Sequence, residues 1–455
     1  MAISRQISER IAVVSPDSRL ESKTGRMSNA LMVSDRAAHD WYRFVLSFPP
    51  HLVRQYIDKF QVKPNQCVLD PFCGTGTTLV ECKKQGVQSV GLEAHPMAHF
   101  ASVVKTDWTF NSDRLLTYAR SIADAADIRI QDSLSRPRRA TSRNLADQIL
   151  DLPFESSKIL LKGSISPRPL HKVLLLLEQI DKSKSKKTRQ YSHLALAKAL
   201  VASIGNVRFG PEIGVTKPKD DVEVVQCWLS LVTQIAADLS SLEHLRDAAV
   251  EVFLADSRDA SAWLRPESID FVITSPPYPN EKDYTRTTRL ESVILGFVRN
   301  SQELRRLKNK LIRSNTRNVF VSDTDDQWVA DNSTVSKIAA DIEDRRSALG
   351  KTSGFERLYH RVAKLYFGGM ARHLASLRPI LKPGARLAYV VGDQASYLRI
   401  KIRTANVLSQ IAESLGYRVE SIDLFRTRYA TATKENLNEE VLVLEWPGKG
   451  GDSDV

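Results

Sequence analysis

The residue types best suited to chemistry stand together at Thr274-Ser275-Pro276-Pro277-Tyr278, directly after the apolar run 269–273. A hydroxyl, two prolines and an aromatic ring at the end of a buried strand would form a rigid polar pocket with a stacking platform. Because proline fixes φ and has no backbone N–H, the carbonyl oxygens of such a segment stay available to a ligand. This chemistry suits a planar ring that carries an amino group. A strand followed by an ordinary proline turn is the alternative.

A glycine-containing turn lies far upstream, in the segment Asp70-Pro71-Phe72-Cys73-Gly74-Thr75-Gly76-Thr77. Glycines at 74 and 76 allow a tight turn and a close approach of ligand to main chain, and the helix predicted to follow offers unpaired N–H groups. A phosphate-binding loop would carry a lysine after its last glycine, where this chain has Thr77. The pattern therefore disfavours a nucleoside triphosphate.

A second strand is predicted at residues 89–92, and an acid, Glu93, follows it directly. In a doubly wound sheet, an acid at this position after the glycine turn is placed to bind the hydroxyls of a ribose. The order strand, turn, helix, strand and acid predicts a site for a nucleoside-containing cofactor.

Together, the glycine segment 70–76 and the Thr274–Tyr278 segment resemble the motif pair of the S-adenosylmethionine-dependent amino methyltransferases of DNA. Segment 39–50 resembles the part of that family that covers the methionine end of the cofactor, and segment 254–257 resembles its adenine-contacting acid. The resemblance implies an α/β fold, a Rossmann-like methyltransferase sheet with an antiparallel final strand. It also implies that S-adenosylmethionine is bound by Phe48, Asp70, Phe72, Gly74, Gly76, Thr77, Glu93 and Asp256.

The Ser-Pro-Pro-Tyr segment is then the predicted catalytic site, formed by Ser275, Pro276, Pro277 and Tyr278. The hydroxyl of Ser275 and the carbonyl of Pro276 would accept the two hydrogens of an exocyclic amine, while Tyr278 stacks on the base. Such a site cannot reach a base inside a duplex, so the base must be flipped out or single-stranded. Methylation at the ring carbon of cytosine would need a thiolate, which that family carries as a Pro-Cys pair, and no cysteine of this chain follows a proline.

The leading serine favours cytosine N4 as the methylated atom, because by resemblance serine is commoner among the cytosine enzymes, whereas Asp or Asn is commoner for adenine. Adenine N6 is the first alternative. An RNA methyltransferase acting on a guanine amine and a catalytically silent nucleic-acid-binding protein are two further alternatives of a different kind.

Composition agrees with a nucleic-acid partner. The net charge of +12 and the pI near 9.4 favour a polyanion. Four cysteines without a C-x-x-C pair argue against a zinc site or a disulfide framework. Residues 1–20 contain no apolar stretch of signal-peptide length, and we expect a cytoplasmic protein with no membrane segment and no metal.

The core is interrupted by two insertions. The first is mostly helical and contains basic patches at 136–143 and 182–189, as well as a polar loop at 203–212 that is either a rim of the active site or a simple connection. The second is rich in Lys and Arg and stands next to the tetrad, which favours contact with the DNA backbone through Lys282, Arg286, Arg289, Arg305 and Arg306. A solvated helix face is the alternative for such a basic run.

The predicted organisation therefore alternates core and insertions, and the resemblance is compatible with a homodimer or a partner restriction enzyme. The first insertion is a possible target-recognition or partner-binding domain. The last core part is predicted to contain a helix at 355–381, a strand at 386–393, a helix at 402–415 and strands near 417–422 and 440–446. The predicted units are an N-terminal arm 1–38, core 39–108, helical insert 109–250, core 251–281, basic insert 282–354, core 355–447 and tail 448–455.

Overall fold

The fold is described from a computed structural model, which covers residues 31–44, 47–135, 149–209, 213–279, 282–430 and 434–448. Several sequence predictions fall elsewhere. The arm before residue 31, the basic patch at 136–143, residues 210–212 of the polar loop, Glu281 and the tail from 449 lie outside the described residues.

One mixed sheet organises the molecule. Its seven strands are β1 Cys67–Asp70, β2 Gln88–Leu92, β5 Val250–Phe253, β6 Ile269–Thr274, β7 Leu381–Gly392, β8 Arg418–Ala430 and β9 Glu435–Trp446, while β3 Val207–Arg208 and β4 Gly214–Val215 form a separate small hairpin. The strand order is β5-β2-β1-β6-β7-β9-β8. The first five strands in this order are parallel, and β9 runs antiparallel to both β7 and β8. The predicted fold class, with its antiparallel final strand, is confirmed.

The strand order reverses at β1. From β1 the chain passes to β2 and β5 on one side and returns at β6 on the other. Because parallel strands need their faces covered, β1 and β6 are almost continuously buried apolar runs. A crevice at the carboxyl ends of β1 and β6 is where an open sheet of this kind binds ligands.

Helices cover both faces of the sheet and form the region between β2 and β5. In chain order they are α1 Arg36–His39, α2 Pro50–Lys59, α3 Thr77–Lys84, α4 Pro96–Lys105, α5 Ser112–Ser135, α6 Phe154–Ile159, α7 Pro167–Lys182, α8 Lys186–Ala199, α9 Val224–Leu242, α10 Tyr284–Thr287, α11 Arg289–Ile294, α12 Ser301–Asn309, α13 Ser333–Ala348, α14 Tyr359–Leu377 and α15 Thr404–Ser414. Proline stands in the first turn of α2, α4 and α7, where its missing N–H costs nothing because the first N–H groups of a helix have no intrahelical acceptor.

Four apolar clusters hold these elements together, the smallest of which joins α6, α11 and α12. One packs α14 and α15 on one face of the sheet, and a second packs α2 on the other. The third joins α4 to helices α5 and α7–α9, with Trp228 and Tyr191 fully buried. The indole N–H of Trp41 donates to Asp238 on α9 at 2.7 Å, so the segment before α2 is tied to this helical region.

The element boundaries differ from prediction mainly near the chain end. Helix α14 ends at Leu377, and Lys382-Pro383-Gly384, expected to terminate the helix, lies within β7. Strands β8 and β9 are much longer than predicted: β8 continues to Ala430, and β9 begins at Glu435, in a stretch of mostly polar residues that gives no apolar alternation. In the polar loop at 203–212, Asn206 is buried and hydrogen-bonded to Gly163 and Ser166, and the described residues of this loop do not line the cavity described below.

Candidate active site

A cavity of about 220 Å³ opens at the carboxyl ends of β1, β2, β6 and β7. It occupies the crevice where the strand order reverses, the expected ligand position in such a sheet. The two predicted segments meet in its wall, which includes Phe72, Gly74, Thr77 and Glu93 from the first segment and Ser275, Pro276, Pro277 and Tyr278 from the second. Residues far apart in the chain therefore face one space.

The glycine turn is held from below by α4. The hydroxyl of Ser102 donates to the carbonyl of Gly74 at 2.7 Å. Gly76 has φ of +82°, and a Cβ at this position would lie 3.3 Å from the Cα of Ser102. Only glycine combines this left-handed conformation with such a close approach. Gly76 thus shapes the turn but is not itself in the cavity wall, whereas Gly74 is.

Glu93 connects the end of β2 to the glycine turn. Its carboxylate accepts the N–H of Gly74 at 2.8 Å and the N–H of His95 at 2.7 Å. Burial raises the pKa of Glu93 to about 7, although these backbone hydrogen bonds act in the opposite direction. A buried carboxyl that can ionise near neutral pH is suited to accept hydrogen bonds from paired hydroxyl groups.

Asp70 lies beneath the cavity and connects its two predicted segments. Its Oδ1 accepts a hydrogen bond from the hydroxyl of Thr274 at 2.6 Å, and Thr274 directly precedes the Ser275–Tyr278 segment. The N–H of Phe72 also donates to Asp70, at 3.1 Å. Asp70 is fully buried and is not in the cavity wall, so the structure gives it a positioning role between β1 and β6.

Asp256 was expected to face the cofactor, but the structure directs its carboxylate elsewhere. It caps the short 3-10 helix Ser257–Ala262 and pairs with the guanidinium of Arg258 at 2.6 Å. Arg258 also pairs with Asp325 in the second insertion. The residues on either side, Ala255 and Ser257, line the cavity, whereas Asp256 does not. The ion pair with Arg258 explains the different orientation.

The segment Ser275–Tyr278, predicted to be catalytic, directly follows β6. The hydroxyl of Ser275 donates to the carbonyl of Val390 on β7 at 3.2 Å, which leaves its oxygen lone pairs as acceptors. The ring of Tyr278 lies against Gly392 at the end of β7, because a Cβ on Gly392 would be 3.0 Å from Tyr278 Cε2. Burial, followed by the nearby carboxylate of Glu439, raises the pKa of Tyr278, so the phenol stays protonated at neutral pH.

Aromatic residues close one side of the cavity. Phe44 and Phe48, from the segment before α2, and Tyr284 of α10 all line it. The rings of Phe44 and Tyr284 lie 6.4 Å apart. The predicted contact residue Phe48 is therefore in the wall, while residues 45 and 46 of the same segment lie outside the described residues.

The predicted DNA-contacting residues separate into four groups. Lys282 lines the cavity, and Arg305 and Arg306 are exposed on α12. Arg286 is half-buried on α10. Arg289 is buried because α11 is buried as a whole, and its guanidinium donates to the carbonyls of Thr285 at 2.9 Å and Ile159 at 3.0 Å. The structure does not bring Arg289 to the surface.

Several wall residues were missed by sequence reasoning. His95 lines the cavity with its Nε2 3.0 Å from the hydroxyl of Thr288, and burial lowers its pKa to about 4, so the imidazole is neutral at pH 7. The end of the chain contributes Arg426, Arg428 and Glu439. His95 could have been found from the sequence, because it stands two residues after Glu93 at the same strand end. No local pattern marks Arg426, Arg428 or Glu439, because the pairing of β8 with β9 brings them to the cavity.

The described ranges, 31–44, 47–135, 149–209, 213–279, 282–430 and 434–448, contain neither a candidate membrane span nor a cluster of metal ligands. No helix within them has the length and apolar character that a membrane span requires. Within the same ranges, His, Cys, Asp and Glu side chains form no group of three or more that could hold a metal ion.

Comparisons with known proteins agree with the predicted resemblance. Residues 18–102 match the family model described as DNA methylase, a range that includes the glycine turn and Glu93. The chain is 25% identical over 428 residues to the Type II methyltransferase M.BsoBI of Geobacillus stearothermophilus, covering 88% of this chain and 82% of that protein.

Two further relatives extend the comparison. The Type II methyltransferase M.AvaI of Nostoc sp. is 25% identical over 429 residues, covering 87% of this chain and 82% of that protein. The Type II methyltransferase M.MjaII of Methanocaldococcus jannaschii is 34% identical over 67 residues, which cover 15% of this chain and 12% of that protein. The predicted resemblance to the amino methyltransferases of DNA is confirmed.

Proposed function

We propose, from this resemblance, that the protein transfers a methyl group from S-adenosylmethionine to the N4 amine of a cytosine flipped out of DNA. The observation that carries the proposal is the single cavity whose wall contains both the turn around Gly74 with Glu93 and the tetrad Ser275–Tyr278. A methyl donor and an amine acceptor need adjoining sites within one space, because the reaction depends on holding the nucleophile in line with the methyl group.

The cofactor half of the cavity comprises Phe44, Phe48, Phe72, Gly74 and Glu93. When bound, S-adenosylmethionine supplies an electrophilic methyl group. The residues present fit this cofactor, because Gly74 allows close approach of the ligand to the main chain and the carboxyl of Glu93 is placed to accept ribose hydroxyls. The aromatic rings provide apolar surface that excludes water from the reacting groups.

The remaining residues predicted to bind the cofactor have different roles, one in direct contact and three in support of the cavity wall; they are Thr77, and Asp70, Gly76 and Asp256. Thr77 is in the cavity wall at the start of α3 and is proposed to contact the cofactor. Asp70 and Gly76 act as positioning residues below the wall. Asp256 pairs with Arg258, so it supports the adenine-side wall through Ala255 and Ser257 rather than by direct contact.

The base half comprises Ser275, Pro276, Pro277, Tyr278 and Glu439. The amine of cytosine is a weak nucleophile because its lone pair is delocalised into the ring. Ser275 supports the transfer as an acceptor, since its own proton is directed to Val390. Together with the carbonyl of Pro276 it binds the amine hydrogens and localises the lone pair, while Tyr278 stacks on the base.

The cysteines support transfer to an amine rather than to a ring carbon. Cys73 lies in the cavity wall, and burial raises the pKa of its thiol well above the ordinary value. A thiol that stays protonated is a poor nucleophile. The choice of cytosine over adenine rests on the serine at the head of the tetrad.

Double-stranded DNA is the proposed partner. Lys282 at the cavity, half-buried Arg286 and the exposed Arg305 and Arg306 on α12 provide positive charge on the side of the second insertion. The helical region α5–α9 is proposed to recognise the target sequence or a partner protein. Methylation would take place in the cytoplasm and protect host DNA from a companion restriction enzyme, a role supported by the similarity to Type II methyltransferases.

The test is transfer from labelled S-adenosylmethionine to unmethylated plasmid DNA, followed by mass spectrometry of the nucleosides. We expect labelled N4-methylcytosine as the product. N6-methyladenine as the sole product would replace cytosine by adenine, and label in RNA alone, or in no nucleic acid, would overturn the proposal. Ser275→Ala is the matched negative control, because it removes one proposed amine acceptor and leaves the cofactor half unchanged.

A further inference from the structure

The second insertion forms a sharp turn next to the cavity. The chain after α12 contributes several residues to the cavity wall, the last of which is Asn318. It then reverses in a β-turn, in which the N–H of Asp323 donates to the carbonyl of Phe320 at 3.2 Å. Val321 follows Asn318 by three residues, so their Cα atoms are at most about 11 Å apart. The turn 320–323 therefore lies beside the space in which the target base is proposed to bind.

Val321 occupies a corner of this turn and is almost fully exposed. At 95% exposure it is the most exposed large apolar side chain within the described ranges. The corners of turns usually carry Gly, Pro, Asn, Asp or Ser, a preference that Ser322 follows and Val321 does not. Because a β-branched side chain is stiff about χ1, Val321 presents a compact and rigid apolar surface to the solvent.

Hydrogen bonds from two arginines hold the turn in place. The Nη2 of Arg361 on α14 donates to the carbonyls of Phe320 at 3.1 Å and Val321 at 3.3 Å. The carboxylate of Asp323 accepts the N–H of Phe320 at 2.7 Å and is paired with the guanidinium of Arg313 at 2.6 Å. A single exposed apolar residue on a surface is ordinary, but this one is held on a braced turn. Such a side chain loses little freedom when it inserts into a partner.

Basic side chains surround the turn. The guanidinium of Arg305, exposed on α12, lies 5.2 Å from the centre of the Phe320 ring. The guanidinium of Arg317 lies 5.5 Å from the ring of Phe355, which is itself 53% exposed. Lys310 is exposed and also lines the cavity, so positive charge extends from the turn to the cavity mouth. This arrangement fits a DNA duplex, whose phosphates flank an apolar stack of bases.

We propose that Val321 inserts into the DNA stack and fills the space that the target base leaves when it turns into the cavity. The inference rests on the proposed function, in which the base is flipped out of a duplex. Flipping removes the stacking contacts of the neighbouring bases, and an apolar side chain in the gap restores part of them. Val321 thereby stabilises the flipped state without contact to the methylated amine, so the inference applies to cytosine and adenine alike.

The experiment compares two duplexes in each of several variants. The recognition site is first mapped on plasmid DNA methylated by the wild-type protein. Two oligonucleotide duplexes then carry either the normal partner base or an abasic site opposite the target. In the second duplex the target is already unpaired and flips at lower cost, so filling the gap adds little. The readout is the ratio of single-turnover methylation rates on the two duplexes at saturating protein, because a general loss of folding or DNA binding affects both.

We expect Val321→Ala to lower the rate on the fully paired duplex about fivefold and to keep the rate on the abasic duplex within about twofold of wild type. Val321→Ile retains a β-branched apolar side chain and should keep the wild-type ratio of the two rates. Val33→Ala is the matched control, because Val33 is also highly exposed, at 77%, but lies before α1 and does not line the cavity. It should keep the wild-type ratio as well.

A role of Val321 in folding or in general DNA contact would slow methylation of both duplexes equally. Equal slowing in Val321→Ala, or a rate ratio the same as that of Val33→Ala, would overturn the inference while methyl transfer by the wild-type protein stands. Absence of methyl transfer to DNA by the wild-type protein would instead overturn the proposed function.

Discussion

The cofactor half and the base half of the cavity are assembled in different ways. Phe72, Gly74 and Glu93 come from one continuous β1–α3–β2 unit, in which each part follows the last within a few residues. The base half takes Ser275 and Tyr278 from the end of β6 and Glu439 from β9, with Gly392 of β7 making room between them. Local chain geometry brings these three residues together, and Phe44 and Phe48 join them from the segment before α2, whereas the base half exists only when the sheet is complete.

This difference indicates how the two halves should respond to substitution. Changes in the base half should leave the cofactor half unaffected, because different side chains are proposed to bind the base and the cofactor. Buried hydrogen bonds below the cavity join the two halves, from Thr274 to Asp70 and from Thr78 to the carbonyl of Ile273. If the comparison holds, methyl transfer and cofactor binding can be altered separately.

We expect Tyr278→Ala to give the largest difference between the loss of turnover and the loss of cofactor affinity. Loss of the stacking ring should lower turnover by about 100-fold, since stacking and alignment of the base are both lost. The affinity for S-adenosylhomocysteine, measured by calorimetry, should remain within about twofold, because no proposed cofactor contact is removed. Tyr278→Phe is the control and should retain most of the activity. A large loss of cofactor affinity in Tyr278→Ala would show that the base half and the cofactor half do not respond to substitution independently.

For Gly392→Ala we expect a smaller difference between the loss of turnover and the loss of cofactor affinity. The added methyl group would lie 3.0 Å from Tyr278 and 3.3 Å from Glu439, so the ring must shift by a few tenths of an ångström. We expect turnover to fall about tenfold with unchanged cofactor affinity, because a small misplacement of the base disturbs in-line geometry. Gly354→Ala is the matched control, since its methyl group would meet nothing within 4 Å. Equal turnover in Gly392→Ala and Gly354→Ala would show that the space at Gly392 does not affect the position of the base.

The smallest effect concerns the pH dependence of cofactor binding. Burial raises the pKa of Glu93 to about 7 from an ordinary value of 4.5, so the carboxyl loses its proton as pH rises through 7. Because the carboxylate is the better acceptor for ribose hydroxyls, affinity for S-adenosylhomocysteine should increase about five- to tenfold between about pH 6 and pH 8.

Glu93→Gln should bind more weakly and with a flatter pH profile. Glu291, whose pKa burial also raises to about 7, and Asp70, with a pKa raised to about 6, remain in this variant. Any slope that persists therefore measures those two groups. A profile as steep as that of the wild type would show that Glu93 does not contact the cofactor.

Rising pH should change the contribution of Glu93 to folding stability in the direction opposite to its effect on cofactor affinity. Because the pKa of Glu93 is higher in the folded than in the unfolded chain, the folded protein binds the proton more tightly. Its contribution to stability without cofactor is fully present below about pH 4.5 and is lost as pH rises toward 7. Cofactor binding and intrinsic stability should thus respond to pH in opposite directions around Glu93.

Sequence reasoning succeeded where the signal is local. The run before Asp70, the glycines that follow and the acid after β2 fix a strand, a turn and a second strand, because each depends on neighbours in the chain. The DNA contact predicted for Arg289 was drawn from its position in a basic run, and the structure buries this residue together with the rest of α11. Charge density along a chain does not reveal whether a short helix is covered by other parts of the molecule on all sides.

The amino-acid sequence by itself determined the α/β fold class, the glycine turn with Glu93, and the Ser-Pro-Pro-Tyr segment at a strand end, since these follow from hydrophobic runs and from the conformational limits of glycine and proline. Only the tertiary structure decided that Asp256 pairs with Arg258 and that Arg426 and Glu439 reach the cavity beside Tyr278. The physical reason is that these positions depend on strand register and ion pairing between distant segments, which no local pattern of residues specifies.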